Sequence, residues 1–429
     1  MSLAQATEIA IRAAVRDRFP KQVDLLADLV RFPSTRGNEH TVQDFCARQM
    51  RARGLDVDVF GMDRDAIARH PGGSRFSETH SSAPIVVGIH RPRKERGRSL
   101  ILQGHVDVVP TGPLDMWQTP PFEPVIRDGW MHGRGAGDMK CGVSSLFAAL
   151  DALKAAGLQP AATVYLETVV EEESTGNGAL MTHLRGYRAD AALVPEPGRE
   201  KLTRANLGVL WFKVEVRGQP VHVAYMGEGA NAIDAAWRVV GALRRLEARW
   251  NERAKEHPLF KALNHPINLN IGKIAGGDWA SSVPAWCTID CRIAMLPGTS
   301  AAEAMREIEA EVQAFARGDS FLANMPPQVA WNGFTAEGYV LEEDSLAEAT
   351  LAEAHRDVTG KPLETSLATA YLDSRVYALY DKIPVLNYGC TAENYHGFDE
   401  RVNLASLERN TEVIALFIAR WCGVEALKQ

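Results

Sequence analysis

Apolar, β-branched runs in this chain end repeatedly on an imidazole or a carboxylate, and that placement limits what the chain can fold into. Ser99 to Leu102 runs straight into Gln103-Gly104-His105, and Thr163 to Val170 stops at Glu171-Glu172-Glu173. Asp190 to Val194 stops at Pro195-Glu196-Pro197, and Pro384 to Tyr388 leads in the same way towards His396. Short apolar runs bounded by turn residues read as core strands. Between them, Gly142 to Ala156 has the small and apolar spacing of a buried helix. Strands alternating with helices predict an α/β sheet covered on both faces, with function gathered at strand ends.

The flanking segments extend this pattern. Gln22 to Gly54 has helical periodicity broken at Phe32-Pro33-Ser34-Thr35, which gives two helices around a loop. Leu55 to Phe60 alternates like a strand, Met62 to Ser82 is polar and irregular like a surface excursion, and Pro84 to Ile89 is a further core strand. After Glu196 the order changes. Leu210 to Arg217 reads as a strand, Asn231 to Lys255 as a helix, Pro266 to Ile274 and Pro284 to Met295 as strands, Ser300 to Arg317 as a helix and Gln328 to Trp331 as a strand. This β-α-β-β-α-β order is that of a ferredoxin-like module. A length of 429 residues suits two domains better than one core. The predicted organisation is a catalytic domain begun by 1–208, interrupted by an α+β module at 209–332 and completed by 333–429. In the last part Leu341 to Thr359, Asp373 to Tyr380 and Leu404 to Trp421 read as helices.

Bulk properties exclude several partners. A net charge of −7 argues against nucleic acid or an anionic membrane as the main one. No run is long and apolar enough to span a bilayer, and the stretch from Met1 to Gln22 lacks the apolar core of a secretory signal. The six cysteines have no C-x-x-C spacing. Cys287 and Cys291 are the closest pair and share one strand face, a weak case for a bridge, so reduced thiols in a cytoplasmic protein are expected.

The chemistry-bearing residues each admit a plainer reading when taken singly. His105 and Asp107 can face one side of an extended segment, where a carboxylate accepting the second imidazole N–H fixes the tautomer of a metal ligand; a buried His beside a surface Asp is the alternative. Asp138 closes Gly133-Arg134-Gly135-Ala136-Gly137-Asp138-Met139-Lys140, whose glycines let the backbone bend closely, as a carboxylate bridging two ions requires. It is otherwise a helix cap. The string fits neither a Walker pattern nor the full dinucleotide fingerprint. The Glu171-Glu172-Glu173 triplet ends a core strand with no Lys or Arg nearby, against the alternative of a solvated acidic face. Prolines on both sides hold Glu196 on stiff backbone, as suits a ligand, although a turn acid looks the same. His396 stands in a Gly- and Asn-rich loop with Glu400 four residues on, a spacing also found in ordinary helices. Taken together, two imidazoles and several carboxylates suit a divalent-metal hydrolase, because buried carboxylates are costly without a neutralising cation.

The order and local sequence of these motifs resemble the M20 family of dinuclear zinc peptidases and amidohydrolases, the group of acetylornithine deacetylase, succinyl-diaminopimelate desuccinylase, aminoacylase and glutamate carboxypeptidase. The resemblance covers nearly the whole chain, and GRGAGDMK is its most specific string. It implies a zinc-peptidase-like catalytic domain with a central mixed sheet flanked by helices, interrupted by a lid that in the family usually also forms the dimer interface. It implies one zinc on His105, Asp138 and Glu196 and another on Asp138, Glu173 and His396, with a cis peptide after the bridging Asp138. Cobalt or manganese suits the same ligands. Asp107 then orients His105, and Glu172 is the general base. The family writes Asp-Glu-Glu where this chain begins with Glu171, and the register of the triplet can slip by one.

Arg217-Gly218-Gln219-Pro220-Val221-His222 followed by Gly229-Ala230-Asn231-Ala232-Ile233 is similar to the family's G-x-x-x-H … G-x-N-A-I string. There His222 stabilises the oxyanion, in dimeric members from the partner subunit. Arg292 lies where the family often binds the substrate carboxylate, a task suited to a planar guanidinium. Ser281-Ser282-Val283-Pro284 lacks the Asn that family members often carry before x-P. Asp373 and Arg375 resemble a D-x-R run supporting the site, or else form a surface salt bridge. The implied activity is hydrolysis of the amide bond of an N-acyl amino acid by a homodimer. A dipeptidase or carboxypeptidase, an N-carbamoyl-amino-acid amidohydrolase and a non-catalytic metal-binding homologue are the alternatives.

Overall fold

A computed structural model describes residues 4–427. Its central sheet runs in the spatial order Asp56–Phe60, Ile85–His90, Val164–Val169, Leu100–His105, Ala192–Val194, Val385–Asn387. The first two strands are antiparallel to their neighbours, and the last four are mutually parallel. Alternate side chains leave opposite faces of a strand. Val86 accordingly joins the main core beneath the helix His40–Ala52, while Ile85 and Val87 pack with Leu180 and Met181 of the helix Asn177–Arg185 on the other face. With both faces covered, Leu100–His105 is buried at every position. The parallel strands point the same way, so His105, the acidic triplet after Val169 and Glu196 after Val194 emerge at one edge of the sheet.

The inserted segment forms the expected ferredoxin-like arrangement, with strands in the order Leu269–Gly276, Trp286–Met295, Gly208–Arg217, Gln328–Ala336, all antiparallel. Its last strand continues five residues past the expected Trp331. Leu210, Phe212 and Val214 face the helices Ala232–Ala254 and Ala301–Gly318 and build a second core. Asn231 caps the first helix by accepting from the amides of Ile233 and Asp234, and Ser300 caps the second by accepting from Glu303. Cys287 and Cys291 both face this core, and all six cysteines are buried and free.

Several elements differ from the sequence reading. The first helix begins at Gln5 and contains Pro20, and Arg12 and Arg16 on it reach Glu412 of the closing helix at 2.9 and 2.7 Å. Residues 62–82 are a surface excursion only in part. They carry the helix Arg64–Arg69 and bury Ser74, His80 and Ser81. Ser74 explains why: its amide donates to Asn177 Oδ1 at 2.9 Å, its hydroxyl to the Thr175 carbonyl at 2.6 Å, and it accepts from the Thr335 amide at 3.0 Å. A polar segment whose hydrogen bonds are satisfied internally can be buried. Asp373 and Arg375 are likewise buried rather than paired on a surface, and the short helix expected there runs from Arg375 to Asp381, with Tyr377–Asp381 of π type. Among the described residues no helix is long and apolar enough to cross a membrane.

Candidate metal centre and substrate cavity

His105, at the end of its strand, is completely buried, and its Nε2 lies 3.2 Å from Asp138 Oδ1, 3.5 Å from Glu196 Oε1 and 3.8 Å from Glu172 Oε2. His396 approaches from the opposite side, with its Nε2 3.4 Å from Asp138 Oδ2 and 3.0 Å from Glu173 Oε2. The two oxygens of Asp138 thus face two different imidazoles. One potential ligand atom each from His105, Asp138 and Glu196 lies within 4.8 Å of the others, and the same holds for Asp138, Glu173 and His396. A further triple of this kind joins His105, Glu172 and Glu173.

The glycine-rich string presents Asp138 without using it as a cap, since the helix Lys140–Ala155 takes Met139 as its N-cap residue. The Asp138–Met139 peptide is cis. Gly135 has φ +80°, and a Cβ there would sit 2.6 Å from a Val108 methyl, so only glycine fits. Glu400 is the clasp of this loop. One carboxylate oxygen accepts from the amides of Gly137 and Asp138 at 2.8 and 2.9 Å, and the other from Gly135 at 3.0 Å and Arg134 Nη1 at 2.6 Å.

Glu171 turns away from the cluster at φ +68°. Its buried carboxylate accepts from Arg36 Nε and Nη2 at 2.7 and 2.8 Å, from the Ser81 amide at 2.7 Å and from the Thr175 hydroxyl at 2.9 Å. The triplet therefore lies in the register that leaves Glu172 and Glu173 at the cluster. Asp107 sits behind His105: its backbone carbonyl is 3.0 Å from Nδ1, its carboxylate is 3.6 Å away, and its Oδ2 accepts from the Glu173 amide at 3.1 Å. The orienting contact is thus closest through the backbone. Asp373 accepts from Gln103 and from the Tyr371 hydroxyl, at 2.7 and 2.8 Å.

Electrostatics favour a cation here. Burial raises the Glu172 carboxyl well above its usual range, raises Glu173, and raises Glu196 to about 7. Burial would lower His105, but the Glu172 and Glu196 carboxylates together with Asp107 and Asp138 more than reverse it. The Glu173 carboxylate lifts His396 to about 11. Glu196 Oε1 and Asp107 Oδ1 are buried without a hydrogen-bond partner. The three glutamates resist carrying their charge, whereas against burial the His105 and His396 imidazoles hold the Asp138 carboxyl well below its usual range, and oxygens left unpaired cost free energy. Two imidazoles with oxygen donors and no thiolate form a donor set suited to zinc, cobalt or manganese.

A cavity of about 920 Å³ opens from the cluster and is lined by Asp138, Glu172, Glu173 and Glu196 at one end and by Trp211 and Arg292 of the inserted module at the other. The structure therefore brings His105, Asp138, Glu172, Glu173, Glu196 and His396 together, with Asp107 behind them and Arg292 across the cavity. It does not bring His222 to this cluster. That side chain is exposed outside the cavity, accepting from the Ala224 amide at 3.1 Å. Arg36 and Ser74 gave no sequence signal, because their partners are remote in the chain; Glu400 gave only its weak spacing from His396.

The profile of Peptidase family M20/M25/M40 matches residues 101–420. The chain belongs to this peptidase family. Its M20 relatives include an N-formyl-4-amino-5-aminomethyl-2-methylpyrimidine deformylase from Halalkalibacterium halodurans, 28% identical over 365 residues that cover 80% of this chain and 84% of the relative. A succinyl-diaminopimelate desuccinylase from Alkalilimnicola ehrlichii is 28% identical over 342 residues, covering 77% and 86% respectively. In fold, the M20 chain matches the dipeptidase Dug1p of Saccharomyces cerevisiae with a TM-score of 0.78 at 16% identity, over 97% of this chain and 98% of the other. As an M20 member this protein is a metal-dependent hydrolase of amide bonds.

Proposed function

We propose that this chain hydrolyses the amide bond of an N-acyl amino acid at a pair of divalent ions, zinc in the first instance. The observation that carries the reading is Asp138, whose two oxygens face His105 with Glu196 on one side and His396 with Glu173 on the other. Those five residues would hold the pair, which when bound supplies Lewis acidity and makes a water acidic enough to attack at neutral pH. Glu172, buried beside His105 and lining the cavity, takes the proton of that water and returns it to the leaving amine. Asp107 holds the His105 ring in place from behind. Arg292, across the cavity, pairs with the substrate carboxylate, which favours an N-acyl amino acid over a neutral formamide.

His222 belongs in this reading as a group supplied by a second copy, where it donates to the developing oxyanion. Tyr225, Met226 and Trp279 stand 63%, 61% and 74% exposed around it, and the His222 segment bridges to Ser282 beside Trp279. Exposed apolar side chains gathered in one place fit a contact between subunits. The 209–332 module then serves as lid and dimer contact between the two parts of the catalytic domain, 1–208 and 333–429. A cytoplasmic setting fits six free buried thiols.

A panel of N-acetyl, N-succinyl and N-carbamoyl amino acids, dipeptides and the N-formyl aminopyrimidine, each with added zinc or cobalt, tests the reading. Hydrolysis of N-acetyl or N-succinyl amino acids, lost when the carboxylate is amidated, is expected. Turnover confined to dipeptides, ureido compounds or the pyrimidine would overturn it.

A further inference from the structure

The geometry points to an aromatic subsite that makes this enzyme prefer N-acyl amino acids carrying a flat ring, formed by Trp211, Phe334 and Tyr371 with Asn270 and Arg292; this rests on the amide-hydrolase reading above. On the strand Gly208–Arg217, Leu210 and Phe212 face the module's helices, so Trp211 leaves the other face. The antiparallel register sets Trp211 opposite Arg292, and Arg292 opposite Asn270 on the edge strand. Residues directly opposite in such pairs share a face. An indole, a guanidinium and an amide therefore form one row across three strands, and all three line the cavity that holds the acidic cluster.

From the indole, rings continue towards the site. Phe334 lies 5.2 Å from Trp211 at 86° and 4.4 Å from Tyr371 at 37°, measured between ring centres. Tyr371 is fixed through its hydroxyl to Asp373, and it closes on the loop that follows the triplet, where a Cβ on Gly176 would lie 1.9 Å from the phenolic oxygen. The aromatic wall thus spans from the Glu172 loop to the guanidinium. Phe334 and Tyr371 are only 4% and 7% exposed and back the wall, whereas Trp211 is half-buried and offers open surface.

Arg292 is anchored by donating Nη2 to the Thr369 carbonyl at 3.0 Å and Nη1 to the Asn268 carbonyl at 3.4 Å, which leaves Nε and the second hydrogens of Nη1 and Nη2 for a carboxylate. Asn270, exposed beside it, supplies the amide that Ser281-Ser282-Val283-Pro284 does not. A substrate whose scissile amide sits at the acid cluster then lays its side chain along the rings and its carboxylate on the Arg292–Asn270 pair. Edge-to-face and offset contacts make such a wall selective for a planar group over an aliphatic one of similar size.

Steady-state kinetics of the full-length zinc-supplemented enzyme on N-acetyl-phenylalanine, N-acetyl-tyrosine, N-acetyl-leucine and N-acetyl-alanine test this. The wild type is expected to favour the aromatic pair over alanine at least tenfold in kcat/KM, and over leucine by a smaller factor. Trp211→Ala is expected to collapse that preference by raising KM for the aromatic substrates, Trp211→Phe to restore most of it, and Asn270→Ala to raise KM across the panel. If Trp211→Ala fails to fold, Trp211→Leu removes the ring while keeping bulk and gives the same reading. Equal use of alanine and phenylalanine substrates, or a preference that survives loss of the indole, would overturn the subsite and leave the reaction standing. Failure to cleave any N-acyl amino acid would overturn the reaction itself, and the subsite with it.

Discussion

At the scale of the residue, the centre depends on side chains that hold other side chains. Glu171 has no place among the potential ligands, yet it fixes the turn that delivers Glu172 and Glu173, and Arg36 grips it with two hydrogen bonds. Arg36→Ala leaves a buried carboxylate without its ion-pair partner, so a loss of about 3 kcal/mol in unfolding free energy is expected. Arg36→Lys, a single-point donor, should recover part of it. Urea unfolding measures both, and an unchanged midpoint in the alanine variant would refute this role. His105, Asp138, Glu173, Glu196 and His396 could be picked out in the sequence because their order and flanking strings resemble those of the M20 family, whereas each taken singly had a plainer reading. Arg36 was not legible, because a lone Arg in a loop acquires meaning only from a partner on a distant strand.

Among the elements, the strand Val164–Val169 carries a cost of its own. Glu167 is fully buried on it, with Oε2 accepting from the Tyr377 hydroxyl at 2.7 Å and Oε1 unpaired. Burial lifts its pKa from the ordinary 4.5 to about 7. A carboxyl raised on folding is protonated in both states at low pH, where it costs nothing. As pH climbs from about 4.5 to 7 the unfolded chain ionises first, so stability falls across that window and stays low above it. Glu167→Gln cannot ionise and keeps an acceptor for Tyr377. It is expected to be on the order of 3 kcal/mol more stable than wild type at pH 8, and little different at pH 4.5. An equal difference at both pH values, by denaturant unfolding, would contradict this. The same strand was readable from its β-branched run. By contrast Thr365–Ala368 was not foreseen, because it is a strand only through its parallel pairing with the distant Leu202–Asn206. The first helix was foreseen only from Gln22 onward, and its earlier part from Gln5 was not, since its arginines find their carboxylate on the closing helix.

For the whole molecule, the proposed reaction calls on a second copy of the chain, since Glu172 lines the cavity and the exposed His222 lies outside it. Glu172→Gln and His222→Ala are each expected to lose at least a hundredfold in kcat. Unfolding and refolding them together should return about a quarter of wild-type activity, because half the dimers are mixed and one of their two sites is intact. Absence of recovery would place His222 inside its own subunit's site, and an active His222→Ala would place it outside the reaction. The module order and the catalytic halves were visible in the sequence as a change of pattern after Glu196. The row of Asn270, Arg292 and Trp211 was not, because strand register fixes it.

The central claim is that Asp138 joins two metal sites. Elemental analysis of divalent metal per chain, in wild type and Asp138→Ala after dialysis against trace zinc, tests it most directly. Two ions per chain are expected in wild type, with loss of both and of thermal stability in the variant. One ion or none in an active wild type, or two retained without Asp138, would contradict it.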